Sequence, residues 1–219
     1  MYKRLYEKLS AYSLIIFDMD GTMYFQKSMQ IRMGARLVMH ALFHRGGMKD
    51  MKLILDYRKM REKWDSSKEA SDEVFFSELS ARYGVGKERV AQVISKWMFE
   101  IPMDAVASSA DKDLAKTVEK LLSEGKKVCI YSDYPAKDKC KALGLPGDLR
   151  IFSCGDGEIG KMKPDPEGIL CISKLYPDIP KNEIIMVGDR MDRDGLAAKA
   201  AGVGFVILDR FRFSRKIRL

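Results

Sequence analysis

The sequence has few of the features that mark membrane, secreted or disordered proteins. No apolar stretch approaches the roughly 20 residues that a membrane-spanning helix needs. The N-terminal segment, MYKRLYEKLSAYS, lacks the apolar stretch and small-residue cleavage site of a secretory signal, so we expect a cytoplasmic protein with no membrane partner. With only seven prolines, 46% hydrophobic and 32% charged residues, the composition argues against a disordered or fibrous chain.

Cysteine is also scarce, and its spacing carries no metal-binding signature. None of the four cysteines forms a CxxC pair. Cys129 and Cys171 lie in apolar runs, where a thiol behaves as a small hydrophobic group. We therefore expect four reduced thiols, without a disulfide or a zinc ion.

The basic charge of the chain is concentrated at its C-terminus. The formal net charge is +8, and the last ten residues, RFRFSRKIRL, hold five Lys or Arg and no acid. The remaining body is only mildly basic, which favours a small anionic substrate over a nucleic acid. We interpret the alternation in Arg210–Phe213 as a short edge strand with outward arginines.

Short apolar runs alternate with helical patterns over much of the chain. The runs predict buried parallel strands at 14–17, 128–131, 184–187 and 205–208, with a weaker one at 149–153. Helical spacing of apolar residues follows at 111–122 and 194–201. This alternation predicts an α/β fold with a doubly wound, Rossmann-like parallel sheet.

One stretch interrupts the alternation and predicts an inserted subdomain. Between about 29 and 101 no run resembles a buried strand, while apolar positions recur at helical spacing in four segments. We therefore predict a core domain formed by residues 1–25 and 105–219, with an all-helical cap domain at 26–104. Such a division also suits a chain of 219 residues.

Acidic side chains follow the first predicted strand at its carboxyl end, in the sequence FDMDGT. Asp18 and Asp20 are separated by one residue, and Gly21-Thr22 turns the chain. In an α/β sheet this edge is where ligands bind. Two close carboxylates are tolerable there only if one is protonated or a cation lies between them, and we favour a hard divalent cation.

Other polar residues follow the later strands. Asp189 comes after the strand at 184–187, with Asp194 shortly beyond it in VGDRMDRD. Oxygen ligands without a nearby histidine or thiolate favour Mg²⁺ over zinc or copper. Ser132 ends the strand at 128–131, and Lys163 stands in GKMKPDPEG, where its ammonium could neutralise a phosphate and a nucleophile.

These motifs, in this order, resemble the haloacid dehalogenase (HAD) superfamily, in its aspartate-nucleophile phosphatase branch. FDMDGT is similar to its first motif, VCIYSD to the second, KMKPDP to the third and VGDRMDRD to the fourth. The resemblance covers the predicted core, and the helical insert matches the family's cap in position and character. Four motifs in order, each after its expected strand or loop, form a specific signal.

The resemblance implies a role for each residue. Asp18 would be the nucleophile that forms a phosphoaspartate, and Asp20 would be the general acid and base. The Asp18 carboxylate, the Asp20 backbone carbonyl and Asp189 would bind Mg²⁺. Ser132 and Lys163 would bind phosphate oxygens, and Asp194 would orient a metal-bound water or Lys163. The implied substrate is a small phosphorylated metabolite.

Two alternatives stay open, and one residue departs from the pattern. A phosphomutase of the β-phosphoglucomutase kind would share all four motifs. A non-catalytic binding module would instead use the basic tail to dock an acidic protein or RNA. Asp133 stands where relatives commonly carry Asn, and a further negative charge would weaken phosphate binding unless it faces the cap or pairs with a cation.

A basic and aromatic cluster in the predicted cap also has two interpretations. Tyr57, Arg58, Arg61 and Trp64 recur at helical spacing and could reach into the active site. We favour the simpler interpretation, a partly buried helix with solvated arginines.

Overall fold

The computed structural model of the protein describes residues 2–155, 159–209 and 217–218, the last pair by backbone alone. Arg210–Phe213, interpreted above as an edge strand, lies outside the described residues. Within them, ten α-helices span Tyr2–Leu9 (α1), Gln26–Phe43 (α2), Gly47–Glu62 (α3), Asp72–Tyr83 (α4), Lys87–Ile94 (α5), Met103–Ser108 (α6), Lys112–Ser123 (α7), Lys137–Ala142 (α8), Glu167–Lys174 (α9) and Leu196–Ala201 (α10). Shorter helical segments are the π-helical Ser95–Glu100 and Met191–Gly195 and the 3₁₀ turn Lys181–Glu183. None of these helices is both long and apolar enough to cross a lipid bilayer.

Six strands form one sheet in the order β3-β2-β1-β4-β5-β6. The strands are Leu14–Phe17 (β1), Lys127–Ser132 (β2), Arg150–Ser153 (β3), Ile184–Gly188 (β4), Gly204–Leu208 (β5) and Ile217–Arg218 (β6). The first five are parallel, and β6 pairs antiparallel with β5. The five predicted strands are therefore confirmed, each within about a residue or two of its predicted bounds.

The sheet is covered by helices on both faces, which confirms the predicted doubly wound α/β fold. Alternate residues of the fully buried β1 point to opposite layers. Ile15 and Phe17 pack in a layer with α1 and α7, and Ile16 packs in a layer with α9 and α10. Burial on both faces explains why the strands read as continuous apolar runs rather than alternating ones.

The strand register brings three predicted site residues to one edge of the sheet. Phe17, the last residue of β1, pairs with Ile130 of β2 and Val187 of β4. Asp18 and Asp189 directly follow β1 and β4, and Ser132 is the last residue of β2. The sheet therefore collects them at its carboxyl edge, as the alternation of strands and helices predicts.

The segment between β1 and α7 is helical, as predicted, and has a hydrophobic core of its own. Buried residues of α3, α4 and α5 form this core together with Trp97. Cys154 and Met162 of the sheet domain join the same cluster, so the insert packs directly against the sheet domain. The predicted domain boundary between 104 and 105 falls within α6, which contacts both α2 and α8, and the division of the chain stays a prediction.

The two connections between insert and sheet domain run side by side. Tyr24, before α2, forms an antiparallel bridge with Ala110, before α7. Backbone hydrogen bonds join Phe25 N to Ser109 O at 2.8 Å and Asp111 N to Met23 O at 3.1 Å. The insert is thus joined to the sheet domain through a narrow two-stranded linker.

Candidate active site

Asp18 leaves β1 into a turn that only glycine can complete. Gly21 has a φ of 92°, and a Cβ added there would lie 2.2 Å from Oδ2 of Asp189. Thr22 closes the turn by donating its hydroxyl to Asp18 Oδ2 at 2.9 Å. The turn therefore holds the Asp18 carboxylate against the end of β4, where Asp189 lies.

Lys163 is buried between two carboxylates. Its Nζ donates to Asp18 Oδ1 at 2.5 Å and to Asp194 Oδ1 at 2.7 Å. Burial opposes the charge of Lys163, but the attraction of Asp18, Asp194 and Asp133 outweighs it, so the pKa of Lys163 lies well above its ordinary value. The lysine is therefore charged at any physiological pH.

Asp194 positions both Lys163 and the turn after β4. While its Oδ1 accepts from Lys163, its Oδ2 accepts from the backbone N–H groups of Asp189 and Arg190 at 3.1 and 3.0 Å. Of the two roles proposed for Asp194 from the sequence, orienting Lys163 is the one that these contacts favour. The neighbouring Asp192 is exposed and pairs with Arg190.

Three buried carboxylates surround a space that suits a hard cation. Oxygen atoms of Asp18, Asp189 and Asp194 lie within 4.8 Å of one another. Burial raises the pKa of Asp18 well above its usual value, Lys163 opposes this rise, and the charges of Asp194 and Asp189 add to it. One ammonium against three acids leaves an excess of negative charge, and the donor set of oxygens fits Mg²⁺.

Asp20 is held by three neighbours. Lys139 Nζ donates to Oδ1 and Oδ2 of Asp20 at 2.6 and 2.7 Å, and the Tyr24 hydroxyl also donates to Oδ1. Burial alone would raise the pKa of Asp20, but the attraction of Lys139 and the hydrogen bonds from Lys139 and Tyr24 outweigh it and lower the pKa. Asp20 is therefore ionised in this arrangement. Ser132 completes the group with a hydrogen bond from Oγ to Asp20 Oδ2 at 3.3 Å.

Lys139 was not identified from the sequence. It is one of three lysines on the short helix α8, KDKCKA, and it is buried whereas Lys141 is exposed. The one indication in the sequence is that α8 follows a parallel strand, because such a helix begins at the carboxyl edge of the sheet. Sequence spacing alone does not distinguish the one buried lysine from its two neighbours.

Asp133, the departure from the family pattern, is half-buried and hydrogen-bonds to the third motif. Its Oδ1 accepts from the backbone N–H of Lys163 at 3.0 Å, and its carbonyl oxygen accepts from Arg61. Burial raises the pKa of Asp133, and the attraction of Lys163 opposes this rise. The carboxyl thus hydrogen-bonds to the Lys163 backbone, and the charge of Lys163 lies close enough to attract it.

The simpler interpretation of the basic and aromatic cluster is wrong for Arg61. Its side chain is only 3% exposed and lies over the rings of Tyr57, Phe75 and Tyr134, at 5.6, 4.9 and 4.4 Å from the ring centroids. It donates to Asp72 Oδ1 at 2.9 Å and to the carbonyl of Asp133. Arg61 therefore links the insert to the second motif, while Arg58 is exposed as expected.

Two further arginines join the fourth motif to the end of α3. Arg190 donates to Glu62 Oε1 at 2.6 Å, and Arg193 donates to the carbonyl oxygens of Lys163 and Glu62 at 2.6 and 2.5 Å. Together with Arg61, these contacts hold the insert over the carboxyl edge of the sheet. The C-terminal end of α3 is consequently one wall of the site.

A cavity of about 450 Å³ lies between the insert and this edge. Its lining includes Asp18, Asp20, Lys163, Asp189 and Asp194. Five of the six predicted site residues therefore face one space, and Ser132 reaches it through its hydrogen bond to Asp20. The arrangement can bind an anion beside a carboxylate nucleophile, with a second carboxylate available for proton transfer.

Comparison with known proteins agrees with this fold. The model of a family of hydrolases, described as haloacid dehalogenase-like hydrolase, matches residues 12–202. No curated protein matches the chain.

Solved structures with similar folds include a 2-haloacid dehalogenase from Pseudomonas syringae, at 18% identity and a TM-score of 0.58, covering 89% of this chain and 85% of the other. YfnB from Bacillus subtilis, a HAD-hydrolase bound to magnesium, is 16% identical with a TM-score of 0.57 and the same two coverages, 89% and 85%. A HAD-superfamily hydrolase from Geobacter sulfurreducens is 17% identical with a TM-score of 0.55, covering 90% and 87%. At these identities the likeness shows a shared fold.

Proposed function

Since the chain belongs to the haloacid dehalogenase-like hydrolases, we propose that it is a Mg²⁺-dependent phosphatase that hydrolyses a small phosphorylated metabolite through a phosphoaspartate. The convergence of Asp18, Asp189 and Lys163 on one cavity, with Asp20 beside them, supports this proposal. Asp20 also favours phosphate esters over haloacids, because an alcohol needs a proton to leave whereas a halide does not.

In the first half of the proposed reaction, a carboxylate oxygen of Asp18 bonds to the phosphorus of the ester. The bond between phosphorus and the ester oxygen breaks, and protonated Asp20 gives its proton to the departing alcohol. Lys163 lies against Asp18 and can also reach a phosphate oxygen, so its charge reduces the repulsion between two anions. Ser132 supplies a hydroxyl at the same place.

In the second half, Asp20 takes a proton from water. The water oxygen attacks the phosphorus of the phosphoaspartate, inorganic phosphate leaves and the Asp18 carboxylate is restored. Lys139 and Tyr24 hold Asp20 in the ionised form that this half requires. The same contacts oppose the protonated form needed first, so substrate binding has to weaken them.

The carboxylates of Asp18 and Asp189 and the backbone carbonyl of Asp20 are the groups that would hold Mg²⁺. When bound, the ion would neutralise charge on the phosphoryl oxygens. Asp194 lies close enough to contribute, and its hydrogen bond from Lys163 at 2.7 Å supports a role in orienting that lysine.

The test is Mg²⁺-dependent hydrolysis of a generic aryl phosphate. Asp18→Asn should lower kcat/KM by at least about a thousandfold, because it removes the nucleophile. Asp192→Asn is the matched control, since it makes the same change on an exposed residue of the same motif and should keep full activity. Absence of turnover by the parent protein would remove the support for a phosphatase and favour the binding module.

A phosphomutase would use the same residues and differ in what accepts the phosphoryl group. Incubation with sugar monophosphates separates the two activities. Release of phosphate without an isomerised sugar phosphate is expected for the phosphatase, whereas an isomerised product would identify the mutase.

A further inference from the structure

A second cavity, of about 160 Å³, opens beside the catalytic one. Asp20 lines both cavities, and so do Gln26, Gln30, Arg58 and Tyr134. The second cavity, which we call the side chamber, therefore adjoins the place where proton transfer is proposed to occur. It lies mainly against the insert rather than the sheet.

The walls of the side chamber are mostly apolar, and most of the apolar residues come from separate parts of the insert. Residues of α2, α3 and the π-helical segment contribute, among them Met33, Leu37, Ile54, Trp97 and Phe99. Ile54 and Trp97 are buried members of the insert's own hydrophobic core. A cavity of about 150 Å³ has room for a molecule the size of benzene. The side chamber therefore suits one ring or a short branched alkyl group.

The rim between the two cavities is polar. Gln26 and Gln30 lie one helical turn apart on α2, and Arg58 faces them from α3. Within the described part of the chain, the side chains of these three residues form no hydrogen bond or ion pair. The rim can therefore bind polar atoms next to the phosphate. Apart from Tyr24 and Lys139, which bond to Asp20, the chamber beyond the rim is lined by apolar side chains.

We propose that the side chamber binds the alcohol portion of the substrate. This inference rests on the proposed phosphatase function, in which Asp20 protonates the leaving oxygen and must therefore touch the first atom of the alcohol. From Asp20 the side chamber leads away from Asp18 and Asp189, which line only the catalytic cavity. The substrate class is then a phosphate monoester of a short alcohol that ends in a ring or a branched group of five or six carbons.

The experiment compares kcat/KM for ethyl, butyl, pentyl, 3-methylbutyl and 2-phenylethyl phosphates in the presence of Mg²⁺. All are primary alkyl esters, so their leaving alcohols have similar acidity and the comparison reports on binding of the alcohol. Burial of each added methylene should raise kcat/KM by about fourfold until the chamber is full. 4-Hydroxybutyl phosphate, which has as many heavy atoms as pentyl phosphate, should be at least about tenfold poorer than pentyl phosphate.

A variant that fills the chamber tests the location. Gly34 lines the side chamber, and a Cβ added there would meet no atom within 4 Å, so the side chain of Gly34→Phe would start from the chamber wall without a clash at its Cβ. Replacing a glycine inside a helix should also favour folding. Ala35→Phe adds the same ring at the next, exposed position, which does not line the chamber. We expect the ratio of kcat/KM for 3-methylbutyl to ethyl phosphate to fall about tenfold in Gly34→Phe and to stay unchanged in Ala35→Phe.

The outcomes separate this inference from the function on which it rests. Turnover of every ester at one common kcat/KM, or a preference for the hydroxylated ester, would overturn the side chamber while leaving the phosphatase in place. An equal loss of the ratio in both phenylalanine variants would overturn the location. Absence of turnover for all esters, the aryl phosphate included, would overturn the phosphatase itself.

Discussion

Replacing Lys163 with methionine should destabilise the protein strongly and make its stability depend on Mg²⁺. Methionine keeps much of the length of the side chain and removes the charge that Asp18 and Asp194 share at 2.5 and 2.7 Å. Asp189 is the third carboxylate within 4.8 Å. Lys163→Met would therefore leave three buried acids without a cation.

The size of the effect follows from the burial of the pair. Removing one partner of a buried ion pair costs about 3–5 kcal/mol, because the other charge stays desolvated. For a chain of this length, 1 kcal/mol corresponds to roughly 2–4 °C in Tm, so the variant should melt about 6–20 °C below the parent. A divalent cation that binds the folded state at a hundred times its Kd returns about 2.7 kcal/mol.

The assay is thermal unfolding in EDTA and in a series of Mg²⁺ concentrations. Lys141→Met, at a lysine that is 81% exposed and paired with Asp138 at 3.5 Å, is the matched control and should change Tm by less than about 2 °C. Adding Asp194→Asn to Lys163→Met should recover part of the loss, because it removes one of the uncompensated acids. If the Tm of Lys163→Met in EDTA equals that of Lys141→Met, the three carboxylates do not share one buried space and the electrostatic reasoning is refuted.

Three further predictions follow from the site. Lys139→Met should raise the pKa of Asp20, so the acid limb of the pH–kcat profile should move toward neutral pH. The variant should also be less stable than the parent at neutral pH. Because the pKa of Asp20 is lowered in the folded protein, this difference in stability should disappear as the pH falls below that pKa. Asp18→Asn should stabilise the fold in EDTA at neutral pH, because burial raises the pKa of Asp18 above its unfolded value, and urea titrations should show the gain vanish near pH 4 and below, where both states are protonated. Arg61→Met should lower the free energy of unfolding by about 2 kcal/mol through its lost charged hydrogen bonds, whereas Arg82→Met, at an exposed arginine of the same insert, should have no comparable effect on urea unfolding.

The strands were predictable because a strand that is buried on both faces of a parallel sheet consists of consecutive apolar residues. Four of the five predicted runs, such as Leu14–Phe17, are apolar at every position, and the weaker run at 149–153 contains Arg150 and Ser153. Once the strands were assigned, the positions of Asp18 and Asp189 followed from the geometry of the sheet, since parallel strands end at a common edge. The helical insert was predictable for the same reason, from the periodicity of its apolar residues.

The contacts that sequence reasoning missed depend on how distant elements pack. Arg61 is buried because rings from α3, α4 and the loop after β2 enclose it. No local sequence pattern predicts that these three segments pack together. Lys139 differs from Lys141 only in which side of α8 faces Asp20. Asp133 likewise has its main partner 30 positions away, in the backbone of Lys163.

Tyr24 contributes to two parts of the molecule at once. Its backbone pairs with Ala110 in the linker, and its hydroxyl bonds to Asp20 in the cavity. A swing of the insert about that linker would therefore pull on the phenol and alter the proton affinity of the acid it touches. The same movement of the insert would thus open the cavity and change the protonation of Asp20.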